Sequence, residues 1–469
     1  MENTMKRDLL VYLLVSAVSF SAFVLTGNAG VSVLIFIIIQ FVCMYYLVPT
    51  KKPLLMFIPI SILGLNAFIS ANNIWHVPNF FVAVVLFSVM ALWLTNQFSV
   101  KGALHKFVYE TLKNIIQPLL HFALPVKWCI ERQKAHMQTA KRVAIGVGFA
   151  VPSLIFISIV LASADAVFSF ALSNLFWRIL DFMRFDIIWK ALFGLVVGFY
   201  LFGLLYYVKG TDIGGVKPCE QKTRNGDLII LNIVLASVLI IYTMFVIIQF
   251  RYLFAGVDNL PYGLTFESYA RRGFFELMFL TAANIAFILI MVWLTKEQAG
   301  SGAKLTKILC FYLCAVTAIL LISSFYRMWL HGSDDGLTRM RFLVFGFLIF
   351  KAVGLFATFA YVIKPKFNII AFYCTVALTY YLVLNLVPMD AIVARSQIDR
   401  YFNTGHGGID YVLTLSPDAG TQISRLLESE NSATRDRVHL HFLYENVRLQ
   451  EQSGWRQWNL SIGRFTRLP

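Results

Sequence analysis

The sequence predicts an all-α, polytopic transmembrane bundle of about eleven spans, with a small helical segment on the outer side of the membrane. Three observations predict it. Hydrophobic residues make up 58% of the chain and charged residues only 14%, with a mean hydropathy of +0.70, whereas soluble domains carry about a quarter charged residues. Apolar runs of about 20 residues, the length needed to cross a hydrocarbon core, recur along most of the chain. Lysine collects in every second connection, as the positive-inside rule requires.

The candidate spans lie near 9–26, 30–49, 53–70, 78–95, 143–163, 187–208, 228–254, 273–294, 304–324, 341–363 and 367–387. The first four, within 1–95, form two hairpins with turns at Gly27-Asn28, Pro49, Pro53 and Pro78. Residues 96–142 differ. They carry eight Lys and Arg residues between Lys101 and Arg142, and apolar positions from Leu104 to Leu120 recur at helical spacing. That pattern predicts an amphipathic helix on the inner surface, an interfacial anchor or the seat of a protein partner. A second amphipathic stretch, 164–186, is too charged to span and is expected on the outer face. The main bundle runs over 143–387. In its span at 187–208, Gly194, Gly198 and Gly203 form a small-residue stripe suited to close helix packing.

With the N-terminus inside, Lys6, Arg7, Lys51, Lys52, the 96–142 cluster, Lys209, Lys296, Lys304, Lys307, Lys364 and Lys366 all face the cytoplasm. An odd span count then puts 388–469 outside. That tail reads as short helices over 388–402, 416–428 and 432–449, interrupted by Gly405, Gly407 and Gly408, and it is expected to dock on the outer loops. The net charge of +15 would suggest nucleic acid for a soluble protein. Here it is topology charge, and the bilayer is the expected partner, with no nucleic acid. The six cysteines fall in apolar runs or inner segments, so no disulfide framework is implied. Cys310 and Cys314 share a helix face and read as packing residues.

Chemistry-bearing motifs of the familiar kinds are missing. There is no phosphate-binding Gly-rich loop, HExxH, GxSxG or paired CxxC, and His439 and His441, two apart with His406 further off, are a weak metal signal that reads better as solvated histidines. No cofactor or metal is implied, and the reading leans away from an enzyme. What stands out is charge on the outer side. Two connections echo each other: Arg251 leads through Gly263-Leu264-Thr265 to Arg271, Arg272 and Glu276, and Arg327 leads through Asp334, Asp335 and Gly336-Leu337-Thr338 to Arg339 and Arg341. Asp390 and Arg400 follow the last span. Guanidinium forks suit phosphates and carboxylates, so this set is the candidate site for an anionic lipid head group or envelope precursor. The competing reading pairs these arginines with the neighbouring acids.

Lys351 lies mid-span. A charge at that depth costs about 2.5–3.5 kcal/mol on insertion scales and usually faces the bundle interior. Asn284 or Glu276 is its expected partner. Lys351 and Glu276 also motivate a second hypothesis, a secondary transporter. A third is a sensor or scaffold that uses the tail as receptor and the basic inner helix as output. A lipid-linked sugar transferase would need an acidic site in a long first outer loop, and that connection spans only 27–30.

Four stretches together resemble a bacterial family of polytopic membrane proteins classed as a domain of unknown function. They are YGLTFESYARRGFFEL (262–277), SSFYRMWLHGSDDGLTRMR (323–341), RYFNTGHGGIDYVLTLSPDA (400–419) and GWRQWNLSIGRF (454–465). The resemblance covers roughly 140–469. It implies a protein of the bacterial cytoplasmic membrane, and it carries over no activity and no catalytic residues.

Overall fold

The computed structural model describes residues 2–25, 30–48, 51–94, 104–132, 185–210, 226–253, 274–295, 298–365, 368–452 and 454–468, with a few positions between 146 and 157. Among these every element is helical. Eight of the described helices are long and apolar enough to cross a membrane: Lys52–Ile69, Asn73–Leu94, Ile187–Lys209, Leu228–Ile248, Leu277–Thr295, Ser301–Trp329, Arg339–Ile363 and Ile369–Leu386. The expected span at 30–49 is a 17-residue apolar helix. The one at 9–26 lies in a 22-residue helix, Glu2–Phe23, whose first turns carry Lys6, Arg7 and Asp8. Most of the expected span at 143–163 and the amphipathic stretch at 164–184 lie outside the described residues.

Contacts divide the chain into two units. The first comprises Met1–Ser61, Pro78–Phe98 and Val108–Val216. Its helices are α1 (Glu2–Phe23), α2 (Val31–Leu47), the start of α3 (Phe57–Ile69), α4 (His76–Leu94), most of α5 (Leu104–Leu120), α6 (Ala123–Arg132) and α7 (Phe185–Gly210). Phe20 meets Phe36 of α2 at 5.5 Å and Phe80 of α4 at 6.4 Å, so both neighbours run antiparallel to α1. The α1–α7 pair is also antiparallel and very close. Ser21 Oγ donates to the Lys190 carbonyl at 2.8 Å, and a Cβ at Gly198 would lie 2.8 Å from the Leu13 carbonyl. Only glycine permits that approach of backbones. Between α1 and α2, Tyr12 and Ser16 both donate to the buried Gln40 Oε1, at 2.9 and 3.3 Å.

The third glycine of the stripe serves a different neighbour. A Cβ on Gly203 would lie 2.3 Å from the Pro118 carbonyl of α5. Trp128 of α6 rests on Phe202 and Tyr206 at 5.6 and 5.7 Å, and Lys6 Nζ lies 5.6 Å over its ring. The amphipathic segment thus packs where α1 begins and α7 ends. It forms two helices, because Pro118 removes a backbone donor and weakens the end of α5.

The second unit comprises Ile62–Val77, Ser99–Phe107 and Lys217–Pro469. It holds α8 (Leu228–Leu253), α9 (Phe274–Thr295), α10 (Ser301–Asp335), α11 (Arg339–Ile363) and α12 (Ile369–Leu386), then the tail helices α13 (Met389–Thr404), α14 (Ile409–Val412), α15 (Gly420–Ile423), α16 (Ser432–Gln452) and α17 (Leu460–Phe465). Polar cross-links join the apolar helices, because a lone polar group in hydrocarbon is costly. Tyr242 donates to Asn284 at 2.5 Å and Asn284 to Thr317 at 3.2 Å, linking α8, α9 and α10. Tyr373 of α12 donates to the Gly354 carbonyl at 2.7 Å. Cys310 and Cys314 are buried in the apolar core between these helices, as packing residues.

One expectation is corrected here. The span placed at 304–324 with a loop after it is instead α10, 35 residues long and unbroken to Asp335. Nothing between Ser323 and Asp335 stops a helix strongly, since Arg327, Met328 and Leu330 are good helix formers and Gly332 costs about 1 kcal/mol. The helix ends at Gly336, whose φ of +76° suits a residue without a side chain.

Replacing Gly203 with alanine must push the α5 backbone away from α7. The overpacking is expected to lower stability by about 1–3 kcal/mol, read as a drop in the unfolding temperature in detergent. Gly454→Ala, where nothing lies within 4 Å of the new Cβ, should leave that temperature unchanged.

Candidate functional site

The connection at 336–338 is a tight helix–turn–helix. Gly336 leaves α10 in the left-handed conformation. The Thr338 hydroxyl accepts from the Arg341 amide at 3.3 Å and caps α11. Beneath the turn sits Gln397 of α13. It donates to the Leu337 carbonyl at 2.9 Å and accepts from the Gly408 amide at 3.3 Å. A Cβ on Gly336 would lie 2.7 Å from it. Of the two Gly-Leu-Thr copies in the sequence, this one is explained. The copy at Gly263 lies outside the described residues.

Arg339 makes a two-point contact. Its Nε and Nη2 donate to Asp390 Oδ1 and Oδ2, each at 2.6 Å, a fork-on-fork pair. Asp390 is wholly buried. It also accepts from the Ser416 amide at 3.0 Å and from the Ser416 hydroxyl. The Arg339 amide donates to Tyr411 Oη at 2.9 Å. A second acid fixes the tail elsewhere: Asp418 accepts from the Ala71 amide at 2.8 Å and from the Ser70 hydroxyl, just beyond α3. Asn66 donates to the Asn385 carbonyl at 2.6 Å, which ties the end of α3 to the end of α12. Leu337, Phe342, Leu343 and Ala71 then pack on the tail's apolar core, built around Val393, Ile398, Ile423, Leu426, Val438 and Phe442.

The other candidates divide into three groups. Arg327 and Arg341 were expected in or beside a loop, yet both are helical and buried, 3% and 9% exposed. Arg341 donates to the Gly336 carbonyl. Lys351 is 4% exposed. Its ammonium donates to the Met278 carbonyl and Thr281 Oγ1 of α9, and it lies 5.4 Å over the Phe347 ring. Asn284 is not its partner, because that amide is committed to Tyr242 and Thr317. Arg251 ends α8, Glu276 lies in the first turn of α9, and Asp334 and Asp335 close α10, with only their backbones described. Arg271 and Arg272 lie outside the described residues. Arg400 is half-buried on α13.

Arg327 ends the inward stripe Cys310–Leu313–Thr317–Leu320–Ser324–Arg327 of α10, and Arg341 opens the stripe Arg341–Leu348–Lys351–Leu355–Thr358 of α11. At 1.5 Å per residue, Lys351 lies about 15 Å below Arg341. The packed faces of two adjacent helices therefore carry three buried cations. The buried acid described in this unit, Asp390, is held by Arg339.

A model of the family classed as a domain of unknown function, DUF4153, matches residues 57–426. The chain belongs to the DUF4153 family. The match begins at Phe57, so α3, α4 and the basic helices α5 and α6 belong to the family unit, whereas the sequence motifs alone suggested a start near 140. It includes Arg339, Lys351, Asp390, Gln397, Ser416 and Asp418 and ends at Leu426. No curated protein and no solved structure matches this DUF4153 chain.

The sequence reading missed Gln397, Tyr411, Ser416 and Asp418. Only the Ser-Pro-Asp start at 416–418 signalled a local turn. Its partners lie 26 and 347 residues away, beyond the reach of local pattern.

Asp390→Asn should destabilise the protein by about 3 kcal/mol, since it takes the counter-charge from a half-buried fork. The tail should become sensitive to limited proteolysis at temperatures the parent tolerates. Arg339→Lys should fall in between, because an ammonium keeps the charge and loses the two-point geometry.

Proposed function

We propose that this DUF4153 protein is a multi-pass protein of the bacterial cytoplasmic membrane. Its N-terminus is inside and its tail outside, and it binds the phosphate-bearing head group of an anionic lipid or envelope precursor at the tail-side end of α10 and α11. The observation that carries the reading is the alignment of Arg327, Arg341 and Lys351 on packed helix faces. Buried cations in a span are expensive, and they are usually kept for a ligand, an ion path or a pair.

The orientation rests on the lysines. Lys209 and Lys364 lie at helix ends that the positive-inside rule assigns to the cytoplasm. The outer ends are held by arginines bonded to acids and to carbonyls. An eleven-span count is supported within the first unit by helix direction. α4 and α7 both run opposite to α1, and α6 lies against Phe202 and Tyr206 near the end of α7. The expected span at 143–163 would lie between the end of α6 and the start of α7, and its apolar sequence supports it.

Secondary transport is the competing reading. Lys351 favours it, because its described partners are neutral and it sits at mid-helix. The two readings separate in one experiment. Native mass spectrometry of the protein extracted with its own lipids should show a bound anionic lipid, and Arg327→Gln should lose it. Lys351→Met should weaken it without loss of expressed protein. A parent protein with no lipid adduct, or an adduct that both variants keep, would count against the head-group site and leave Lys351 to transport.

A further inference from the structure

The longest helix of the tail has two apolar faces. One carries Val438, Phe442 and Leu449 and is buried in the tail core. The other consists of Leu440, Leu443, Tyr444 and Val447, spaced i, i+3, i+4 and i+7, each between 57% and 68% exposed. Such a stripe is a helix face awaiting an apolar partner. We propose that the occupant is the outer surface of the bilayer, and that α16 lies along it with Trp455 as an anchor.

Both ends of α16 are tied to places where spans leave the membrane. At its start, Arg437 pairs with Asp410. The next residue, Tyr411, accepts from the Arg339 amide at the first residue of α11. At its far end the chain runs through Trp455 to Trp458, whose ring meets Phe68 at 5.8 Å, in the last turn of α3. The helix is 21 residues long, about 31 Å, and is held near span ends on both sides, so it runs along the surface. The chemistry of the exposed groups fits an interface. Trp455 is 61% exposed with the Arg456 guanidinium 5.5 Å over its ring, and such aromatic–basic pairs suit the head-group level. From Ser432 onward the chain has six arginines and three acids, and that excess is attracted to anionic lipid. Arg437 and Arg448 flank the stripe on one edge, a polar border for an apolar face laid in a head-group layer. A second protein copy would also cover apolar area. It would not account for the anchoring of both helix ends at span exits.

The test uses the full chain, with its native cysteines replaced, in phosphatidylcholine vesicles containing phosphatidylglycerol. Leu443→Cys and, separately, Val447→Cys are labelled with bimane and exposed to two quenchers. One is a lipid carrying a nitroxide high on its acyl chain, and the other is aqueous iodide. Loss of most of the emission to the lipid quencher, with little loss to iodide, is the expected result. Free quenching by iodide and none by the lipid would overturn the proposal and leave the face in water. Protection from both would overturn it in favour of a protein partner on the stripe.

Discussion

Asp390 is the constraint on which the second unit depends. A fully buried carboxylate must have its charge met on all sides. Four donors meet it here: both arms of the Arg339 fork, the Ser416 amide and the Ser416 hydroxyl. Donors and acceptor come from three segments: Arg339 from the top of α11, Ser416 from the 416–418 turn, and Asp390 itself from the start of α13. The pair therefore decides where the tail sits. Once it is made, Gln397 lies under the Gly336 turn and Asp418 reaches the end of α3. Leu337 and Phe342 then become part of the tail's core. The tail and the second unit's span ends fold as one body.

The same pair removes Arg339 from any list of groups available to a ligand. Toward the interior lie Arg327, Arg341, which donates to the Gly336 carbonyl, and Lys351, on faces that would hold leucine in an ordinary helix pair. The polar ladder Tyr242–Asn284–Thr317 shows how the unit treats polarity that is only structural, with side chain matched to side chain. Lys351 differs, since its described contacts are a carbonyl, a hydroxyl and a ring face.

Much of the architecture could be read from the chain because bilayer thickness imposes a length. The runs expected at 187–208, 228–254, 341–363 and 367–387 match helices within a few residues. The glycines at 194 and 198 pack closely because nothing else fits. Two kinds of feature were hidden. α10 ran past its apolar run to Asp335, because hydropathy marks where lipid ends and not where a helix ends. The partner of Arg339 lay 51 residues on, and Asn284 faced Tyr242 instead of Lys351, since pairing across helices is set by rotation and register that no local pattern encodes. The echoed Gly-Leu-Thr was visible as a motif. Its meaning, a left-handed glycine, a buried carbonyl and a cap, needed the turn itself.

The most direct measurement is side-of-membrane labelling of the full chain in intact cells, in a background without native cysteines. Thr421→Cys marks the tail. Lys364→Cys marks the end of α11 far from Asp390, about 37 Å away along a 25-residue helix. A membrane-impermeant maleimide should label Thr421→Cys and leave Lys364→Cys untouched until the cells are broken. Labelling of both positions in intact cells, or of Lys364→Cys alone, would contradict an outward tail locked to the outer span ends, and with it the outward-facing site.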